Sequence, residues 1–168
     1  MSRKKTILDL YKMKETGEKA AWMVIYDACF AAYAEEAGMD MILCGDSVGM
    51  IVYGFQGTVP VTMDVSIAHT QAVRRGAPNT YLIGDMPFGS YHASCEDAVR
   101  NALRFYKEAD VDAIKLEGGV RVADKIKAIT DAGMVVFGHI GLTPQSSAAM
   151  GGFKVQGKDT STAKAVIE

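Results

Sequence analysis

Five apolar runs in this 168-residue chain each end in a group that can ionise or hydrogen-bond. These groups are Asp27, Asp46 followed by Ser47, Asp85, the pair Lys115 and Glu117, and His139. Asp46, Asp85 and Glu117, with neither a cysteine nor a second histidine beside them, suit a hard, oxygen-seeking cation. Magnesium takes one or two carboxylates and completes its shell with water and substrate oxygens. Asp46 and Asp85 fit that description, and Glu117 serves either as a third ligand or as the holder of a coordinated water. Zinc is disfavoured because His139 is the only histidine at the end of a run. Carboxylates gathered this closely repel one another, and a cation removes that cost. Lys115 and Glu117 stand two apart, so on a strand they point to the same side. A lysine there can hold a substrate carboxylate or a developing enolate oxygen, and His139 can donate in a similar way. Such a set suits chemistry next to a carbonyl, with a metal-chelated 2-oxo acid polarised towards its enolate.

Each of these groups also has a purely structural reading. Asp27 alone reads as a turn former or helix cap. Lys115 and Glu117 read equally as an ion pair, His139 as a buried and satisfied histidine, and Ser47 as a helix cap. His69 and His92 fall in a helix and a loop with no assigned role, and the aromatic residues read as core packing. Five polar strand ends in one chain carry more weight than any one of them.

The elements that would position these groups alternate along the chain. Thr6 caps a helix running to about Thr16. The runs Ala21–Tyr26, Met41–Cys44, Tyr81–Gly84, Asp112–Glu117 and Met134–Phe137 are short, continuous and apolar, as expected of buried parallel strands. Helix patterns follow at residues 28–37, Met63–Arg75, Cys95–Ala109 and Val122–Ala132, and a last one begins near Thr160. This predicts five βα units and a parallel sheet with helices outside. An open doubly wound sheet and a closed barrel both fit. Ligands sit at the C-terminal edges of the strands in either, but convergence of several strand ends on one mouth favours the barrel. The segments at 48–62 and Gly141–Lys158 follow strand ends and read as candidate lids.

Composition narrows the function further. The net charge of −2 and absence of a basic stripe exclude nucleic acid as a partner. The run Arg3-Lys4-Lys5 reads as a solvated helix start. Cys29, Cys44 and Cys95 are odd in number and match neither a zinc nor a disulfide spacing; Cys44, inside an apolar run, reads as a small buried hydrophobe. No apolar run approaches the roughly 18 residues of a membrane span, and the N-terminus lacks a signal-peptide core. The expectation is a cytoplasmic protein without a membrane partner. The standard dinucleotide and P-loop motifs are absent.

The segments Gly45-Asp46-Ser47-Val48-Gly49-Met50, His69-Thr70 and Ala72 to Pro78 resemble the ketopantoate hydroxymethyltransferase (3-methyl-2-oxobutanoate hydroxymethyltransferase) family. So do Lys115 to Gly119, Gly138 to Ser146 and Gly151 to Gly157, in order and spacing, over residues 6–158. The resemblance implies an α/β (β/α)₈ TIM barrel of the phosphoenolpyruvate/pyruvate-domain type. It implies transfer of a hydroxymethyl group from 5,10-methylenetetrahydrofolate to 3-methyl-2-oxobutanoate, giving 2-dehydropantoate on the way to pantothenate, through a magnesium-stabilised enolate. Mg²⁺ would be held by Asp46 and Asp85 with Glu117 close by. Ser47, Asp85 and Lys115 would contact substrate, with His139 in the same pocket and Lys115 and His139 assisting the chemistry. The family's general base is a glutamate at the end of the sixth strand, which Glu168 does not match. The expectation is a single domain over residues 1–168, an N-terminal helix and strands 1–5 of an incomplete barrel, from a homo-oligomeric enzyme. Two other readings remain open at this point: another 2-oxo-acid lyase or mutase of the same barrel superfamily, and an inactive partial-barrel partner.

Overall fold

The computed structural model describes residues 3–168. Its centre is a five-stranded parallel sheet in sequence order: β1 (Trp22–Val24), β2 (Met41–Cys44), β3 (Tyr81–Asp85), β4 (Ala113–Glu117) and β5 (Val136–His139). Each strand pairs with the next in parallel, and the register sets Asp85 beside Lys115 and Glu117 beside His139. Between the strands run α2 (Ala28–Glu36), the short α3 (Val48–Ile51), α4 (Met63–Gly76), α5 (Cys95–Ala109) and α6 (Ala123–Asp131). α1 (Ile7–Thr16) precedes the sheet and α7 (Thr160–Ile167) follows it.

Strand alternation divides the core into two layers. Ile42, Cys44, Leu82, Ile114 and Leu116 face outwards and pack with the apolar stripe of α5, Ala98, Ala102, Phe105 and Ala109. Met41, Leu43, Tyr81, Ile83 and Ala113 face the other way, with Leu10 of α1 and Phe137 against them. Asp85, Lys115 and Glu117 continue this inner face at its C-terminal end, so the strand period alone sends them to one place. The helix starts are capped as their sequences demand. Asp27, Thr62 and Ser94 accept hydrogen bonds from the backbone N–H groups of Phe30, Val65 and Asp97, filling donors left free in a first helical turn.

Several expectations are corrected. The first strand is shorter than its apolar run, although Ile25 N–H still bonds the Leu43 carbonyl at 3.0 Å. β2, β3 and β4 are fully buried, but β1 is exposed and β5 half-buried, because they form the two edges of this sheet. The basic run is not free in solvent: Lys4 and Lys5 pair with Asp112 at 2.7 Å and Asp40 at 3.1 Å. Nor are the aromatic residues all core, since Phe30, Tyr33, Tyr53 and Phe153 are exposed. α3 forms where a loop is expected. Cys44 is buried, and burial pushes its thiol up to about 12. No helix among the described residues is long and apolar enough to cross a membrane.

Candidate active site

Asp46, Ser47, Asp85, Lys115, Glu117 and His139 line one cavity of about 540 Å³ at the C-terminal edge of the sheet. Two glycines let the wall close behind them. A Cβ on Gly45 would lie 2.8 Å from Ser47 Oγ, and one on Gly84 would lie 2.5 Å from the Phe105 ring. Gly84 therefore lets β3 sit against α5, and Asp85 follows immediately. Asp27 stands apart from this group: it caps α2, as its structural reading has it.

The charged groups are buried and interlocked. Lys115 Nζ lies 2.8 Å from Asp85 Oδ1 and 3.4 Å from Glu117 Oε1. His139 Nδ1 lies 3.0 Å from the same Glu117 oxygen. Asp85 Oδ2 accepts the Asp46 backbone N–H at 3.0 Å. Burial pushes Asp85 up to about 7, and nearby Asp46 adds to the rise against the opposing pull of Lys115. Burial also raises Asp46, while the amide of Gln145 and the charge of Lys115 draw it back. For Glu117 the balance reverses: burial raises it, but His139, Lys115 and the Gln145 N–H together hold it below the usual range. Burial works against the Lys115 ammonium, yet Asp85, Glu117 and Asp46 outweigh it and raise its pKa.

Three side chains without an assigned role in the sequence reading complete the wall. Gln145, buried in the turn after β5, donates from Nε2 to Asp46 Oδ2 at 2.8 Å and to the Met86 carbonyl at 3.0 Å. Its backbone N–H donates to Glu117 Oε2 at 3.1 Å. Tyr91 donates its hydroxyl to Gln145 Oε1 at 2.5 Å and accepts the Glu117 N–H at 3.1 Å. Thr58 lines the cavity from the segment after α3; its hydroxyl helps draw Asp46 down but makes no aligned hydrogen bond. Gln145 had a signal in the sequence, its place in the Gly138 to Ser146 run, and Thr58 had one in the candidate lid at 48–62; Tyr91 had none. Ser47 stands at the N-cap position of α3, as its structural reading has it, but its hydroxyl meets Tyr26 Oη at 2.9 Å and makes no capping hydrogen bond. His69, left without a role, ties α4 to the end of β1. Its Nδ1 donates to the Tyr26 carbonyl at 2.6 Å, which leaves Nε2 to accept from Tyr53 Oη at 3.1 Å.

The donor set fits a magnesium ion. Asp85 Oδ1 is buried and meets only the Lys115 ammonium, without hydrogen-bond alignment. Asp46 has one oxygen engaged by Gln145 and a second carboxyl oxygen beside it. Glu117 belongs to the same wall, but both its oxygens are engaged by His139, Lys115 and Gln145. No three histidine, cysteine or carboxylate side chains among the described residues gather as a preformed cage.

Similar architecture occurs in solved structures. One is a phosphonopyruvate hydrolase in complex with oxalate and Mg++, with a TM-score of 0.63 and 18% identity over 80% of this chain and 52% of that chain. Another is a 2,3-dimethylmalate lyase, a PEP mutase/isocitrate lyase superfamily member, with a TM-score of 0.58 and 19% identity over 78% and 51%. The likeness is one of fold: the chain forms five consecutive βα units of the kind that build a TIM barrel. The family model for ketopantoate hydroxymethyltransferase matches residues 4–168, and the chain belongs to that family. It is 65% identical to the 3-methyl-2-oxobutanoate hydroxymethyltransferase of Alkaliphilus metalliredigens (strain QYMF), over 100% of this chain and 60% of that protein. The protein of the same name from Bacillus subtilis (strain 168) is 53% identical, over 98% of this chain and 59% of its own length. The chain thus spans about 60% of the length of these curated relatives.

Proposed function

We propose that this chain supplies the metal and oxo-acid half of the active site of a 3-methyl-2-oxobutanoate hydroxymethyltransferase, with 5,10-methylenetetrahydrofolate as the one-carbon donor. The observation that carries this reading is the row of buried Asp46, Asp85, Lys115 and Glu117 with half-buried His139 on one cavity wall, in a chain of this family. Three carboxylates against one ammonium leave the wall short of positive charge; burial first, and neighbouring carboxylates second, raise Asp46 and Asp85. Asp46 and Asp85 would hold Mg²⁺. When bound, the ion supplies Lewis acidity that polarises the carbonyl of a 2-oxo acid and lowers the pKa of the neighbouring C–H.

The chain's own residues do the rest of the positioning. Lys115 is the one ammonium in the wall, aimed where negative charge develops as the C3 proton leaves. Glu117, held by His139, Lys115 and Gln145, keeps that ammonium on the inner face. Ser47 offers a hydroxyl to the substrate, oriented by Tyr26. Apolar Leu43, Phe137 and Ile140 in the same cavity suit the branched alkyl group of the oxo acid and exclude water around it. The base that takes the C3 proton is assigned to the strand after those described here.

The test is a chimera in which this chain replaces the matching 60% of the Alkaliphilus relative. With Mg²⁺, 3-methyl-2-oxobutanoate and the methylene-folate, NMR should show 2-dehydropantoate accumulating at a rate comparable to the parent. A chimera that is folded but forms no product, or that cleaves oxaloacetate or phosphonopyruvate without folate, would overturn the reading.

A further inference from the structure

Three buried hydroxyls lack any hydrogen-bond partner among the described residues: Thr58, Ser66 and Thr143. Of these, Thr58 alone lines the cavity that holds Asp46, Asp85 and Lys115. It is 1% exposed, so bulk solvent does not satisfy it. A buried hydroxyl without a partner is costly, and a threonine of this shape is matched in volume by valine, which would carry no such cost.

Its position is held by the backbone around it. The segment after α3 folds back so that Phe55 N–H bonds the Gly49 carbonyl at 2.9 Å and Val61 N–H bonds the Thr58 carbonyl at 3.1 Å. Gly49 permits this, since a Cβ there would lie 2.5 Å from Val61 Cγ2. Among the groups near Thr58, Asp46 is drawn down by the hydroxyl but makes no aligned hydrogen bond with it. Asp46 Oδ2 is taken by Gln145, and Ser47 Oγ by Tyr26. Lys115 is held between Asp85 and Glu117, so an anionic ligand entering this cavity needs neutral donors as well as the ammonium.

We propose that Thr58 is a substrate-binding residue whose hydroxyl donates a hydrogen bond to an anionic oxygen of the 2-oxo acid. This rests on the proposed function and adds to it a contact from the segment after α3. The segment's role is then to carry one donor into the cavity, and the hydroxyl gains an aligned partner when the oxo acid is present.

The test is Thr58→Val, with Thr58→Ser as the conservative partner. Three quantities are read: thermal midpoint without ligand, Mg²⁺ affinity alone, and affinity for 3-methyl-2-oxobutanoate at saturating Mg²⁺ by calorimetry. Thr58→Val should keep or raise the midpoint, and weaken oxo-acid binding at saturating Mg²⁺ about tenfold, as for one lost hydrogen bond to a charged group, more than it weakens Mg²⁺ binding. Thr58→Ser should bind nearly as the parent does. A lowered midpoint in Thr58→Val would mark the hydroxyl as structural and overturn the inference. Unchanged oxo-acid affinity would overturn it too, while leaving the proposed function intact. If the parent binds Mg²⁺ but not the oxo acid, the proposed function itself fails and the inference goes with it.

Discussion

Divalent-cation affinity should fall steeply as the pH drops below neutrality, because the cation must displace a proton from Asp85. Burial beside Asp46 lifts this carboxyl from 3.8 to about 7 despite Lys115. The gap is worth about 4 kcal/mol against the charged form. In the metal-free protein the folded state therefore keeps a proton that the unfolded chain has lost. That contribution favours folding fully below 3.8 and is lost as pH rises through about 7. A bound cation reverses the balance by favouring the carboxylate. With a pKa of about 7, Asp85 is mostly ionised at pH 8 and mostly protonated at pH 6, so affinity for Mg²⁺ should drop about tenfold between them. Calorimetric titration of MgCl₂ in two buffers of different protonation enthalpy reads both quantities. Near one proton should be released per ion at pH 6 and few at pH 8. Equal affinity at the two pH values, with no proton release, would refute the reasoning, since a carboxyl at its ordinary pKa is ionised at both.

Three other substitutions test the wall. Gly84→Ala forces a methyl group into the Phe105 ring and should cost about 1–3 kcal/mol, a fall of several degrees in the thermal midpoint; an unchanged midpoint would contradict the close packing. Gln145→Met keeps the volume but removes the donor to Asp46 and the acceptor for Tyr91. It should lower stability by about 1–3 kcal/mol and weaken Mn²⁺ binding measured by paramagnetic resonance, whereas Thr58→Val should not lower stability. Asp27→Asn, which retains an oxygen for the Phe30 N–H, should leave metal affinity unchanged and change stability by less than about 1 kcal/mol; lost metal binding would return Asp27 to the site.

The strand period was the legible part of this site. Lys115 and Glu117 share a face because they are two apart, and Asp85 and His139 are their neighbours across the sheet through the parallel register. The shared face follows from local pattern alone, and the cross-strand neighbours from the register of the folded sheet. Gln145, Tyr91 and Thr58 were not legible as site residues, since they reach the cavity from turns and loops whose paths depend on packing. Tyr91 follows β3 yet bonds groups on β4 and after β5, a contact no spacing encodes. The same limit applies to the N-terminal basic run, which reads as solvated until Lys4 meets Asp112, more than a hundred positions away. The exposed strand β1 shows that an apolar run reports the capacity for burial; Trp22 to Val24 lie at a sheet edge.

The central claim is that Asp46 and Asp85 hold a divalent cation to which a 2-oxo acid binds. Mn²⁺ paramagnetic resonance at pH 8 tests it most directly, comparing the parent chain with Asp46→Asn and Asp85→Asn before and after 3-methyl-2-oxobutanoate is added. The account predicts a bound Mn²⁺ signal in the parent that changes on adding the oxo acid, and loss of both binding and change in each variant. Mn²⁺ bound equally by the parent and both variants would contradict it, as would a bound signal in the parent indifferent to the oxo acid.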